Sequence, residues 1–166
     1  MHTETDEKYG IGPRDYLQRA RQLLDESKKL CLFHAAFELR CGVEAQLKEY
    51  LDAQKHISKK TKSHWEIPKP SKGVKKAFGI NKPVEIEIRD KVSGELYGKF
   101  LYTPVPKELI KLGGKLGNYP HNMKKFKPAN DEWWKSFRDE LERTYTLLER
   151  ATEGSLLGPP LLDSKT

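Results

Sequence analysis

Residues 30–53 read LCLFHAAFELRCGVEAQLKEYLDA, and this stretch decides the fold. Leu32, Ala36, Leu39, Val43, Leu47 and Leu51 recur every three or four residues, which lays them along one stripe for about five helical turns. Such a stripe must be buried against other elements, so the stretch predicts a core helix over Leu30–Ala53. Upstream, Ser27-Lys28-Lys29 reads as a joint. Before it, Pro13 follows Gly10-Ile11-Gly12 and is well placed to open a helix. That helix carries Tyr16, Leu17, Ala20, Leu23 and Leu24 as far as about Glu26. The two segments read as an α-hairpin or as one bent helix.

Downstream, periodicity is lost from His56 to Ile80, where Pro68 and Pro70 interrupt the chain and Val74 to Phe78 could form a helical turn or two. A different pattern follows. Val84, Ile86 and Ile88 alternate with Glu85, Glu87 and Arg89; Asp90-Lys91-Val92-Ser93-Gly94-Glu95 supplies a turn, and Leu96 to Thr103 a second strand. A two-stranded hairpin is marginal alone and needs helices or another copy to lean on. Pro104 and Pro106 end it, and Lys107 to Leu112 forms a short helix running into Gly113-Gly114. Asn130 is a good N-cap for a last helix, with Asp131 and Glu132 at the positive end of its dipole. Trp134, Phe137, Leu141, Tyr145 and Leu148 make its buried stripe. The expected fold is mainly α: a small helical bundle over residues 13–153, with a basic insertion at 56–104 that contains a β-hairpin. Residues 1–12 and 154–166 read as disordered ends.

The chain has 166 residues, enough for one domain that holds a core without disulfide or metal. Charged residues make up 33% and mean hydropathy is −0.78, and no apolar run is long enough to cross a membrane. The polar, acidic N-terminus does not read as a secretory signal, and Cys31 and Cys41 lie ten residues apart on one helix, too far to pair. A reduced, cytoplasmic protein is the expectation.

The net charge of +7 is unevenly placed. Residues 55–82 hold nine lysines against Glu66 alone, and residues 104–128 hold six lysines against Glu108. The remaining stretches are mildly acidic. A lysine-dense block with an aromatic beside it suits a phosphate backbone, because each neutralised phosphate releases counterions. Lys59, Lys60, Lys62, Trp65, Lys72, Lys75, Lys76, Lys124 and Lys125 are the candidate contacts to RNA or another polyanion; the plain alternative is a solvated lysine-rich loop. Neither block contains arginine, which argues against bidentate reading of bases.

Two stretches could carry chemistry. On the long helix Arg40 and Glu44 are four apart beside the apolar stripe, either as a rim ion pair or as part of a polar pocket. In Leu112-Gly113-Gly114-Lys115-Leu116-Gly117-Asn118-Tyr119-Pro120-His121, a lysine, an asparagine and a histidine fall within seven residues, beside glycines that permit close backbone approach. An imidazole and a cation are a minimal kit for metal-free phosphodiester cleavage, one moving the proton of the 2′-hydroxyl and the other meeting charge on phosphorus oxygens. The alternative is a loop whose histidine caps a helix or faces water. Pro120 disfavours helix at Tyr119, which would take Asn118 and His121 off a common face. His34, four before Glu38, reads as structural, and His56 and His64 match no zinc spacing. The glycines lack the Lys-Ser/Thr of a P-loop. No metal or cofactor is expected.

Together these stretches resemble the HEPN superfamily, in its bacterial branch with Arg-x-x-x-Glu on the second helix and Leu-Gly-Asn-x-x-x-His, or close to it, in the third region. Arg40–Glu44 matches the first pattern, and Leu116-Gly117-Asn118-Tyr119-Pro120-His121 approximates the second. The resemblance covers about residues 13–55 and 107–152. It implies a bundle of four or five helices that often dimerises. In active members it also implies metal-independent RNA cleavage in toxin–antitoxin, phage-defence or RNA-processing systems. In those members arginine stands four to six residues before the histidine; here Lys115 stands six before His121. The resemblance thus assigns His121 as general acid/base, Lys115 as phosphate clamp, Asn118 as positioning donor and Arg40 as second cation, in a homodimer that engages RNA. The competing expectation is a non-catalytic module that binds or neutralises another protein, docking through the hairpin.

Overall fold

In the computed structural model, residues 9–53, 82–121 and 130–156 are described, the side chains of Pro120 and His121 excepted. The long helix is α2, Lys29–Ala53, and all six residues of its predicted stripe are buried. Helix α1, Pro13–Asp25, begins with Pro13 in its first turn, and the Asp15 carboxylate accepts the Gly12 N–H at 2.9 Å. The chain reverses at residues 26–28 and the two helices form an α-hairpin. Arg19 reaches Glu38 at 2.8 Å, and the Cβ side of Gly42 lies over Tyr16, so pairing runs in opposite directions along the two helices.

Among the described residues, strands β1 (Val84–Arg89) and β2 (Leu96–Tyr102) and helices α3 (Lys107–Leu116) and α4 (Asn118–His121) follow. The last helix, α5 (Asp131–Thr152), is capped as expected, with the Asn130 side chain accepting the Trp133 N–H at 2.9 Å. It packs on both helices of the hairpin. Arg21 grips the Glu142 carboxylate with two bonds of 2.9 and 3.0 Å, and Arg138 donates to the Leu24 carbonyl at 2.6 Å, so that α5 satisfies the C-terminal end of α1. Leu39, Val43, Leu109, Leu116, Leu141 and Leu148 are fully buried where α2, α3 and α5 meet. The molecule is mainly helical with a small hairpin, as the sequence predicts.

The strands pair antiparallel, Val84 with Tyr102 through Ile88 with Gly98, with an irregularity at Arg89. The base of the hairpin is held where the fully buried Tyr50 hydroxyl donates to the Thr103 carbonyl at 2.5 Å and Thr103 Oγ1 donates to the Ala151 carbonyl at 2.9 Å. Its tip is organised by Asp90, whose Oδ1 accepts the Ser93 and Val92 N–H groups at 2.6 and 2.8 Å, while Gly94 adopts φ +73°, a conformation that suits glycine. These N–H bonds, with one from the Tyr97 hydroxyl, hold the Asp90 carboxyl down at about 2. Its folded value lies below the ordinary unfolded one, so its support for the turn is complete above about pH 4 and is lost as pH falls toward 2. Amide resonances of Val92 and Ser93 should titrate in that window, and Asp90→Asn should abolish the titration.

Short stretches beside both ends of the described chain bond to the bundle. Ser155 and Leu156 donate to the Leu101 carbonyl at 2.8 and 3.0 Å, and Ser155 Oγ accepts the Leu101 N–H at 2.9 Å, which ties residues 155–156 to the edge of β2. Arg19 donates to the Gly10 carbonyl at 2.8 Å and lies 4.3 Å from the Tyr9 ring, which fixes residues 9–12 on the bundle. The physical reason is the same at both ends: an open strand edge or a half-buried guanidinium takes up the polar backbone beside it. The remaining parts of both predicted ends, and residues 54–81 of the insertion, lie outside the described residues.

Candidate functional site

The two stretches that carry the chemistry meet through a glycine. Arg40 leaves α2 and its guanidinium lies directly on Gly117; a Cβ at that position would sit 1.7 Å from Nη1. One turn earlier on α3, Gly113 faces Val43, where a Cβ would come 2.9 Å from Cγ1. The glycines therefore admit α2 itself, and the close approach that the sequence announced is helix against helix. Arg40 Nε also donates to Glu44 Oε1 at 3.0 Å, and its side chain keeps 31% exposure. The Arg40–Glu44 pair is thus a rim ion pair whose outer guanidinium edge overlies the Gly117 turn.

Lys115 points elsewhere. It is two residues before Gly117, hence on the opposite side of the helix, and it pairs with Glu140 of α5. The Tyr119 hydroxyl donates to the other Glu140 oxygen at 3.3 Å. Hydrogen bonding to Glu140 raises the Lys115 pKa, which keeps the ammonium charged, while burial together with the Glu140 carboxylate raises that of Tyr119. The two candidate cations are thus engaged by different carboxylates on different helices. Asn118 is exposed at the start of α4.

The backbone of residues 118–121 forms one helical turn, against the expectation that Pro120 would keep Tyr119 out of a helix. So short a turn leaves the first N–H groups without intrahelical partners, and the missing donor of Pro120 costs nothing there. The ring of His121 lies outside the described residues, as do Lys59, Lys60, Lys62, Trp65, Lys72, Lys75, Lys76, Lys124, Lys125, His56 and His64. Sequence reasoning missed Glu140 and Tyr119. Tyr119 stood inside the motif, and its aromatic ring, 4.6 Å from that of Phe137, was the available signal. Glu140 had none, because its relation to Lys115 exists only through the packing of α3 on α5.

Other groups bound the chemistry. Burial, with Glu44 and Glu38 nearby, pushes the Cys41 thiol up, away from the thiolate a nucleophile requires. Among the described residues no group of three His, Cys, Asp or Glu side chains could hold a metal ion. Among them, too, no helix is long and apolar enough to cross a membrane. His34 is exposed and lines, with Gln22, Leu23 and Phe37, an open furrow of about 500 Å³ between α1 and α2. Compared with known proteins, the chain matches no family model, no curated protein and no solved structure.

Proposed function

We propose that this chain is a HEPN-like protein that engages RNA and cuts it without metal, acting as a cytoplasmic homodimer of the toxin–antitoxin or phage-defence type. The observation that carries the reading is the seat of Arg40 on Gly117: it joins the Arg-x-x-x-Glu helix to the Gly-Asn turn that leads to His121. In this scheme His121 takes the proton of the attacking 2′-hydroxyl. The new P–O bond closes a 2′,3′-cyclic phosphate as the P–O5′ bond breaks, and the proton passes to the departing 5′-oxygen. Arg40 meets charge on the phosphoryl oxygens, Asn118 positions the phosphate by hydrogen bonding, and the lysine-rich blocks supply the non-specific grip on the backbone. Lys115 must exchange Glu140 for phosphate if it is to act as a clamp.

The test is RNA cleavage in the presence of EDTA by wild type and His121→Ala. Wild type is expected to cut, and the variant to lose about 10²- to 10⁴-fold in rate. Equal rates would remove His121 from the mechanism.

A second reading has its own observation. Ile88, Leu96 and Phe100 remain 49%, 40% and 37% exposed on the hairpin, and with Lys115 already neutralised this favours a protein-binding module docking through β1 and β2. Absence of cleavage together with absence of RNA binding would select it.

A further inference from the structure

We infer that the outward face of α3 is a track for the phosphate chain of single-stranded RNA, and that Glu140 is its built-in counter-anion, which RNA displaces from Lys115. The inference rests on the proposed RNA reading and adds Lys107, Lys111 and Glu140 to it. Lys107, Lys111 and Lys115 stand four residues apart on α3, and Asn118 follows three further on. Gly117, before Asn118, keeps a right-handed helical backbone at φ −63° and ψ −19°, so the spacing carries into α4. With 3.6 residues per turn these four positions share about 80° of arc and span about 16 Å. They lie opposite Leu109, Gly113 and Leu116, which are buried against the bundle. All four are exposed.

The stripe is of one sign, and the acids beside it are occupied. Arg143 holds both oxygens of Glu108 at 2.9 Å. Among the described residues Lys107 and Lys111 have no acidic partner, so both ammonium groups are open to a phosphate. Lys115 differs. Its partner Glu140 is 16% exposed and also accepts the Tyr119 hydroxyl, whereas the Lys115 side chain is 54% exposed. The carboxylate is therefore the fixed member of the pair and the lysine the member that moves. Its stem can carry the ammonium to a phosphate while Tyr119 stays on Glu140. Exchanging one anion for another gives little net gain, so Glu140 sets how much the third position of the track contributes. α3 exposes no large apolar side chain that could anchor a protein partner, which leaves charge as the attraction and favours a phosphate chain.

The test is fluorescence anisotropy of a labelled 2′-O-methyl RNA, which lacks the attacking hydroxyl and stays intact, titrated with the full-length protein at several salt concentrations. Lys107→Ala/Lys111→Ala is expected to bind about tenfold more weakly at about 0.2 M salt. Its slope of log K against log salt should be shallower by about 1.4, two phosphates at about 0.7 each. Lys115→Ala alone should change affinity less than about twofold, because Glu140 already neutralises that lysine. Glu140→Gln keeps an acceptor for Tyr119 and is expected to bind about threefold more tightly, with a slope steeper by about 0.7. Glu140→Gln/Lys115→Ala should lose that gain. A purely structural Glu140 would leave the slope unmoved. Wild-type affinity and slope in Lys107→Ala/Lys111→Ala would overturn the track and leave the RNA reading standing. An unchanged slope in Glu140→Gln, or a gain that survives Lys115→Ala, would overturn the counter-anion. Absence of salt-dependent binding by both wild type and Glu140→Gln would overturn the RNA reading and the track with it. Binding of a poly-glutamate peptide in place of RNA would assign the face to an acidic protein segment instead.

Discussion

Gly117→Ala is expected to leave the bundle folded, with stability within about 1 kcal/mol of wild type, while lowering RNA affinity about tenfold, to the level of Arg40→Ala. The new methyl would stand 1.7 Å from Nη1 of Arg40 and 2.6 Å from Cζ. Those atoms end a long, flexible side chain that is 31% exposed, so the side chain swings into water and the helices stay where they are. What is lost is a positioned cation, on the scale of one charge-assisted hydrogen bond, about 1.5 kcal/mol. Because both substitutions remove the same seat, Gly117→Ala/Arg40→Ala should bind no more weakly than Arg40→Ala alone. Full affinity in Gly117→Ala beside weak binding by Arg40→Ala would mean that Arg40 works from some other position. Fluorescence anisotropy of a labelled RNA separates the outcomes.

The largest effect on stability is expected at the opposite end of the same glycine logic. Leu148 is fully buried, and its Cδ2 lies where a Cβ on Gly42 would come within 2.7 Å. At that point α5 rests on the backbone of α2, with Tyr16 of α1 closing the third side. Leu148→Ala leaves a cavity that three helices cannot all close, and should cost about 3 kcal/mol. That is a large share of the roughly 5–15 kcal/mol a domain possesses, and corresponds to a fall in Tm of about 6–12 °C. Urea denaturation should show a lower midpoint with an unchanged slope. Gly42→Ala presses on the same methyl but gains helix propensity, so its cost should be smaller, about 1–2 kcal/mol. Combined with Leu148→Ala it should cost less than the sum, since the alanine methyl enters the cavity.

These predictions mark where the sequence was legible. The stripe Leu32–Leu51 was legible because a buried helix face has a period, and the hairpin because alternation and a Gly-containing turn have another. The Asn130 cap was legible because its chemistry is local. The roles of Gly42, Gly113 and Gly117 were not: glycine in a helix announces close approach but not what approaches, and the partners Leu148, Val43 and Arg40 are distant in sequence or on another helix. For the same reason Lys115 read as a free cation, although Glu140 lies against it. The bonds made by Gly10, Ser155 and Leu156 were not legible, because their partners are Arg19 and Leu101, groups that sequence pattern gives no reason to associate with the ends. The concentration of charge in two lysine blocks is a fact of the sequence, and it carries no geometry.

The central claim is that the excess charge serves an RNA backbone, and salt tests it most directly. Affinity for a single-stranded RNA should be measured as salt rises from about 50 to about 200 mM. If four lysines each neutralise a phosphate, log K falls against log salt with a slope of about −3, and more lysines steepen it. The prediction is firm binding at the low end and that steep decline. Binding that is absent at low salt, or present with a flat dependence, would contradict it.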